Sequence, residues 1–374
     1  MRLRFPPVAL AVFVLLFYPA VSSVRAQDAT VDQLLKKLPP PEKLVKNPVQ
    51  RAARQEDPAL QDRLNNDILV AVQKGNLAGA ITLGQHLIER YPRSAAAHCL
   101  YGTLLMVARR YPAAEHEFQQ AVALKRDFSL AYFFLGNTQA SQQRFAAALP
   151  SLQKVTVLEP KEPIAWIFVS ECQNRLGHKR EAVAAATRAT VVSPASSLAW
   201  LELARAENVV GNTNGCLRAI LRAVDLSPDN AYMLATVGYS YINLNRIPEA
   251  IPPLERAAHF TPNDFLVQSQ LGFCLAMTGR TDAAIEHLRK GAKLAPNYAP
   301  VWEHLGMAYA KQGRHRDAVG AFEHATKVMP TYWQAWHHLS EEYRLVGRSA
   351  DAERAATRAT QLKSVPEKGA RKSS

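Results

Sequence analysis

A spacing of 34 residues between small side chains constrains this 374-residue chain more than any other feature. Gly102, Gly136, Gly238, Gly272 and Gly306 are separated by 34, 102, 34 and 34 residues. The gap is filled in register by Ser170 and Ala204, which are also small. A second ladder of the same period runs through Ala80, Ala114, Ala148, Ala182, Cys216, Ala250, Ala284, Ala318 and Ala352. Prolines form a third (Pro92, Pro160, Pro194, Pro228, Pro262, Pro296, Pro330), and Trp166, Trp200, Trp302 and Trp336 a fourth. Nine units fit without an insertion: 61–94, 95–128, 129–162, 163–196, 197–230, 231–264, 265–298, 299–332 and 333–366. Equal spacing over such a length is the signature of a stacked repeat array, not of a single-core globule.

The pattern inside a unit predicts its structure. In 299–332, Trp302, Leu305, Gly306 and Tyr309 recur at helical spacing, Gly313 marks a turn, and Ala318, Ala321, Phe322 and Ala325 form a second helical set. Pro330 ends the unit, because proline cannot continue a helix but can begin one. Gly306 and Ala318 let the two helices approach closely, while Trp302 and Phe322 are expected to fill the wider gaps. A hairpin with one apolar face cannot bury it alone, so stacking of neighbours supplies the core.

These ladders resemble the tetratricopeptide repeat family across 306 of the 374 residues. The resemblance implies an all-α fold, a right-handed α-solenoid of about nine 34-residue helix-turn-helix repeats with about 18 helices. The first unit departs from the pattern, with Asp67 and Ile68 where leucine and glycine are expected, which marks it as a distorted cap. Arg126 replaces the proline of the second unit. The last helix, 352–362, is polar enough to face water itself.

Outside the array, Arg2 and Arg4 precede an apolar run from Val8 to Phe17, and Val24-Arg25-Ala26 follows. That order reads as a secretory signal peptide over 1–26, so the chain is expected to be exported, periplasmic or secreted; an uncleaved signal acting as an anchor is the alternative. Residues 27–60, with Pro39-Pro40-Pro41, Pro48 and Pro58, read as a Pro-rich linker, and 367–374 as a basic disordered tail. No later stretch is apolar enough to span a bilayer, so no stable membrane span is expected once the signal is cleaved. The net charge is +13 but diluted along the chain, without the basic stripe that nucleic acid requires, so nucleic acid is not an expected partner. Cys99, Cys172, Cys216 and Cys274 lack Cys-x-x-Cys spacing and read as small buried hydrophobes.

The chain carries no phosphate-binding loop in strand–helix context and no Gly-x-Ser-x-Gly elbow, and no enzyme or cofactor is expected. Gly211 to Gly215 falls at the turn inside the fifth unit. One polar cluster is chemically distinctive: Glu303 and His304 share unit positions with His337 and His338, and Glu341 follows His337 by four residues on one helix face. A metal at His304, His337 and His338 is the sharp reading of that cluster; a solvated polar wall is the plain one.

The resemblance further implies that the first helix of each unit lines a concave groove through positions two, five, nine, twelve and thirteen. Those positions yield Phe133, Asn137, Ile167, Glu171, Arg175, Leu201, Arg205, Tyr232, Tyr239, Asn243, Phe273, Met277, Glu303, Met307, Lys311, His337, Glu341 and Arg344 as the candidate ligand groove. As a set they give an apolar, aromatic centre and a charged C-terminal end. Phe133, Ile167 and Leu201 stand where a lysine-rich carboxylate clamp would begin, and Phe134, Phe168, Glu202 and Thr236 stand where the asparagine ladder of glycosyltransferase arrays would lie. The expected function is a scaffold or adaptor holding a peptide or protein segment in the groove, in the cell envelope. Assembly or secretion of an envelope polysaccharide is the alternative, and a metal-binding or hydrolytic protein a distant third.

Overall fold

The computed structural model describes residues 58–364, which are helices joined by short turns. The expected signal peptide, most of the linker and the basic tail lie outside the described residues. The chain divides into two compact units after Val210, a point inside the fifth period of the sequence.

The first unit contains α1 (Pro58–Gln73), α2 (Leu77–Arg90), α3 (Ala95–Val107), α4 (Tyr111–Leu124), α5 (Ser129–Ser141), α6 (Phe145–Leu158), α7 (Pro163–Arg175), α8 (Lys179–Val192) and α9 (Ser197–Val210). The second contains α10 (Thr213–Leu226), α11 (Ala231–Asn243), α12 (Ile247–Phe260), α13 (Phe265–Met277), α14 (Thr281–Leu294), α15 (Ala299–Lys311), α16 (His315–Val328), α17 (Trp333–Leu345) and α18 (Ser349–Ser364). The odd-numbered helices of the first unit and those of the second from α11 onward begin at the same repeat register, except α1, which starts early at Pro58. No strand occurs among the described residues.

Three devices recur with the period. The turn between paired helices needs one residue at positive φ, supplied by Gly75, Gly177, Gly211, Gly279, Gly313 and Gly347, and by Arg109, Gln143 and Asn245 where the register lacks glycine. The following amide then closes a long bond back over the helix end, as in Arg314 N to Tyr309 O at 3.0 Å and His178 N to Gln173 O at 2.9 Å. Between paired helices, the glycine of the first faces a large residue of the second. A Cβ on Gly306 would lie 2.6–2.8 Å from the Phe322 ring, and one on Gly136 would lie 2.7 Å from Leu152 Cγ.

The tryptophan ladder does more than fill gaps: Trp166, Trp302 and Trp336 pack against the core and also carry a hydrogen bond. Each indole N–H donates to the proline carbonyl that ends the preceding period: Trp166 to Pro160 at 3.1 Å, Trp200 to Pro194 at 2.9 Å, Trp302 to Pro296 at 2.8 Å and Trp336 to Pro330 at 3.0 Å. Gln268 Nε2 does the same to Pro262 at 2.9 Å, and His98 Nε2 approaches Pro92 O at 3.0 Å. Where the register holds Leu234, which has no donor, Arg256 Nη2 reaches the Pro228 carbonyl instead at 2.6 Å. A carbonyl freed by the helix end at each proline thus finds a partner.

The core follows from this geometry. In the first unit, Phe118 stacks on Phe134 at 5.6 Å, and Phe133 meets Phe168 edge-on at 5.4 Å. In the second, one continuous cluster runs from Leu254 and Leu271 through Leu288 and Leu305 to Phe322 and Leu339. All four cysteines are buried free thiols, and burial pushes those of Cys99, Cys172 and Cys274 up to about 12. No helix among the described residues is long and apolar enough to cross a membrane.

Candidate functional site

Within each unit, consecutive first helices touch one another: α3, α5, α7 and α9 in the first, and α11, α13, α15 and α17 in the second. They therefore lie side by side within each unit, and the candidate groove residues are distributed along them.

In the first unit, Phe133, Asn137, Ile167 and Leu201 are buried. Position five there, with Asn137 at position nine, turns toward the neighbouring helix, so these side chains pack between helices instead of facing solvent. Glu171, Arg175 and Arg205 retain exposure and surround a residue that the groove register did not select, Glu202. Glu202 is only 5% exposed. It accepts a 2.8 Å hydrogen bond from the Ser170 hydroxyl, and the Arg205 guanidinium lies 3.9 Å away. Burial dominates over both and pushes its carboxyl up to about 7.

In the second unit the selected residues are more open. Tyr232, Tyr239, Phe273 and Met307 are half-buried; Asn243, Met277, Lys311, His337, Glu341 and Arg344 are exposed. Lys311 Nζ donates to the Ala276 carbonyl at 2.7 Å, tying α15 to the end of α13. Glu303 is the exception, 6% exposed. His338 Nε2 lies 3.4 Å from one of its oxygens and His304 Nε2 3.6 Å from the other, and the Tyr332 hydroxyl, pushed up by burial and by the Glu303 charge, shares this surrounding. The bond to Glu303 raises His338, whereas burial lowers His304, whose Nδ1 is buried without a partner.

The metal reading of this cluster fails on geometry: among the described residues no three His, Cys, Asp or Glu side chains are placed to hold one ion. His304 packs on Phe273 with ring centres 4.7 Å apart, and His338 stacks on Phe322 at 5.5 Å. Their Nε2 atoms are spent on Glu303, and His337 pairs locally with Glu341 at 3.7 Å.

A cavity of about 140 Å³ opens between α11 and α13, lined by Tyr239, Ile242, Asn243, Leu266 and Gln270. Tyr239 and Asn243 belong to the expected groove. Ile242 and Leu266 were legible too, since they occupy positions twelve and two of their units; Gln270, at position six, was not. Tyr332 could not have been found from the groove register, because it closes the unit 299–332, just before the first helix of the next.

Comparison with known proteins agrees with this architecture. Tetratricopeptide repeat models match residues 68–123, 113–293 and 299–332. No curated protein matches the chain. Among solved structures, the chain is similar to YrrB, a TPR protein with an unusual peptide-binding site, at 20% identity over 50% of this chain and 96% of that one, with a TM-score of 0.47. A tetratricopeptide repeat protein from Parabacteroides merdae is 15% identical over 66% of this chain and 98% of its own, with a TM-score of 0.49. The type IV pilus biogenesis factor PilW is 18% identical over 55% of this chain and 95% of its own, with a TM-score of 0.48. With helical hairpins at a fixed 34-residue period and three repeat models distributed along it, the chain belongs to the tetratricopeptide repeat family.

Proposed function

We propose that the chain is a non-catalytic scaffold of the cell envelope that holds a peptide or protein segment against its first-helix face, with the second unit as the principal contact. The observation that carries this reading is the accessible apolar surface on first helices of that unit. Tyr239, Phe273 and Met307 are partly exposed and Met277 is 47% exposed, in a family whose stacked hairpins serve as interaction surfaces. Aromatic and methionine side chains combine large contact area with adaptable packing, which suits a polypeptide ligand. The charged end, with Lys311, His337, Glu341 and Arg344 exposed, adds electrostatic selection to that contact. The envelope assignment rests on the signal-like order of residues 1–26. The test is a crosslinking pull-down from envelope extract with the wild type and a Tyr239→Ala plus Phe273→Ala variant. Loss of a specific protein band in the variant supports the reading; retention of every band contradicts it.

A further inference from the structure

We infer that His98, Glu117 and the Pro92 carbonyl form a proton-operated latch, which ties the turn between α2 and α3 to α4 while the ring is charged and frees that turn when the ring loses its proton.

The geometry demands two ring hydrogens. His98 Nδ1 lies 2.6 Å from Glu117 Oε2, and Nε2 lies 3.0 Å from Pro92 O. A carboxylate and a backbone carbonyl only accept, and a neutral imidazole has a single N–H. The charged ring fills both bonds; the neutral ring beside an ionised Glu117 fills one and sets lone pair against lone pair at the other. Both side chains are only 12% exposed, so water replaces the lost partner poorly. Other units meet the same carbonyl with donors that do not titrate, such as Trp166 on Pro160. The pair Gln268 and His287 occupies the same two unit positions in 265–298 as His98 and Glu117 in 95–128. There Gln268 donates to Pro262 O through Nε2 and accepts from His287 Nδ1 through Oε1 at 2.7 Å, so an amide holds the turn.

The surroundings set the direction. Besides Glu117, α4 carries Tyr111, His116 and Glu115, the last committed to Gln139 and Arg144. From α2 come His86, Glu89 and Arg90; Glu89 bears, with Glu117 and Arg110, on the Tyr101 hydroxyl one turn along α3. The turn adds Tyr91 and Arg93, and α5 has Tyr132 and no charged residue. Of these groups, Glu117 is the charge that acts on the ring. Its hydrogen bond raises His98, burial opposes the rise, and the Pro92 carbonyl and the Glu117 charge add to it. The latch is therefore closed below about 6.5 and opens as pH rises through the folded value.

The test follows two signals in the full chain by NMR: the His98 ring nitrogens, and the protection of the Ser94 and His98 amides corrected for intrinsic exchange. Those amides donate to Tyr91 O and Ser94 O and close the turn. Their protection is expected to fall about tenfold as the ring deprotonates. The equivalent amide of Tyr298, in a turn held by Trp302, is expected to show no step there. In Glu117→Gln the carboxamide donates to Nδ1 and the neutral ring donates to Pro92 O, so both bonds survive without the charge. The step should vanish in that variant, and the His98 midpoint should drop by about 1 pH unit or more. His98→Trp, which copies the donor of four other units, should hold protection at its acid-side level. Glu202 on α9 also favours the acid side, but Glu117→Gln leaves it untouched. A step that survives in Glu117→Gln overturns the latch, as does an unchanged His98 midpoint in that variant or constant Ser94 and His98 protection while the wild-type ring titrates.

Discussion

Glu202 in the first unit and Glu303 in the second are both buried on first helices, yet their surroundings treat the carboxylate differently. Glu202 receives one hydroxyl, from Ser170, and a guanidinium at 3.9 Å. Burial outweighs them, and the carboxyl is held up to about 7. Glu303 has two imidazole nitrogens beside it, at 3.4 and 3.6 Å, from His338 and His304, whose rings pack on Phe322 and Phe273. The same hairpin scaffold therefore carries a poorly compensated charge at one place and a caged one at another. The repeat fixes where the backbone goes, and the partners in the next helix decide what a buried acid costs.

The largest effect is expected from opening the cage. Glu303→Ala leaves His338 without its carboxylate and opens space in a buried position, and should destabilise the second unit by about 4 kcal/mol. Faster amide exchange in α15 and α17, with α3 to α7 unchanged, is the readout. The converse change in the first unit should have the opposite sign. Glu202 binds its proton more tightly folded than unfolded, so its contribution is fully present below about 4.5 and is lost as pH rises through about 7. Glu202→Gln keeps an acceptor for Ser170, removes that loss, and should stabilise the first unit at pH 8 by about 3 kcal/mol. Denaturation followed at pH 4.5 and pH 8 checks the sign: the wild type should weaken toward pH 8 and the variant should not.

The histidines of the second unit sharpen the contrast. His338 is raised, so its contribution is present below about 6.5 and fades as pH rises through its folded value. His304 is lowered, so its contribution is present above about 6.5 and fades as pH falls. The two oppose each other, and amide protection in the second unit, corrected for intrinsic exchange, should depend less on pH between 5 and 8 than protection in the first.

Smaller effects test the repeat itself. Gly306→Ala places a methyl 2.6–2.8 Å from the Phe322 ring. The strain should exceed the gain in helix propensity and leave a net loss of about 1–2 kcal/mol, read as a lower melting temperature. Gln143 holds φ at +61° in a turn that other hairpins give to glycine. Gln143→Gly should therefore stabilise by about 0.5–1 kcal/mol, seen as a rise in denaturation midpoint at constant slope.

Much of this was legible from sequence because the period encodes it. The glycine-to-large-residue contact, the positive-φ turn and the proline end recur at fixed spacing, so one unit explains the others. What escaped depended on partners that no period supplies. The burial of Phe133, Ile167 and Leu201 reflects how closely α5, α7 and α9 approach, which spacing along one helix does not state. Trp302 was legible as a gap filler because apolar volume is visible in a sequence, while its bond to the Pro296 carbonyl was not. The histidine cluster suggested a metal from residue type and unit position; in the fold the rings of His304 and His338 pack on Phe273 and Phe322 with Nε2 beside Glu303. Gln270 carried no signal until α11 and α13 were seen side by side.

Site-specific photocrosslinking in envelope extract tests the central claim most directly. A benzophenone amino acid is placed in turn at Phe273 and Met307 on first helices and at Val191 and Lys290 on second helices. A shared protein adduct is expected from Phe273 and Met307 and none from Val191 or Lys290. Adducts from the second-helix positions that equal or exceed those from Phe273 and Met307 would contradict it.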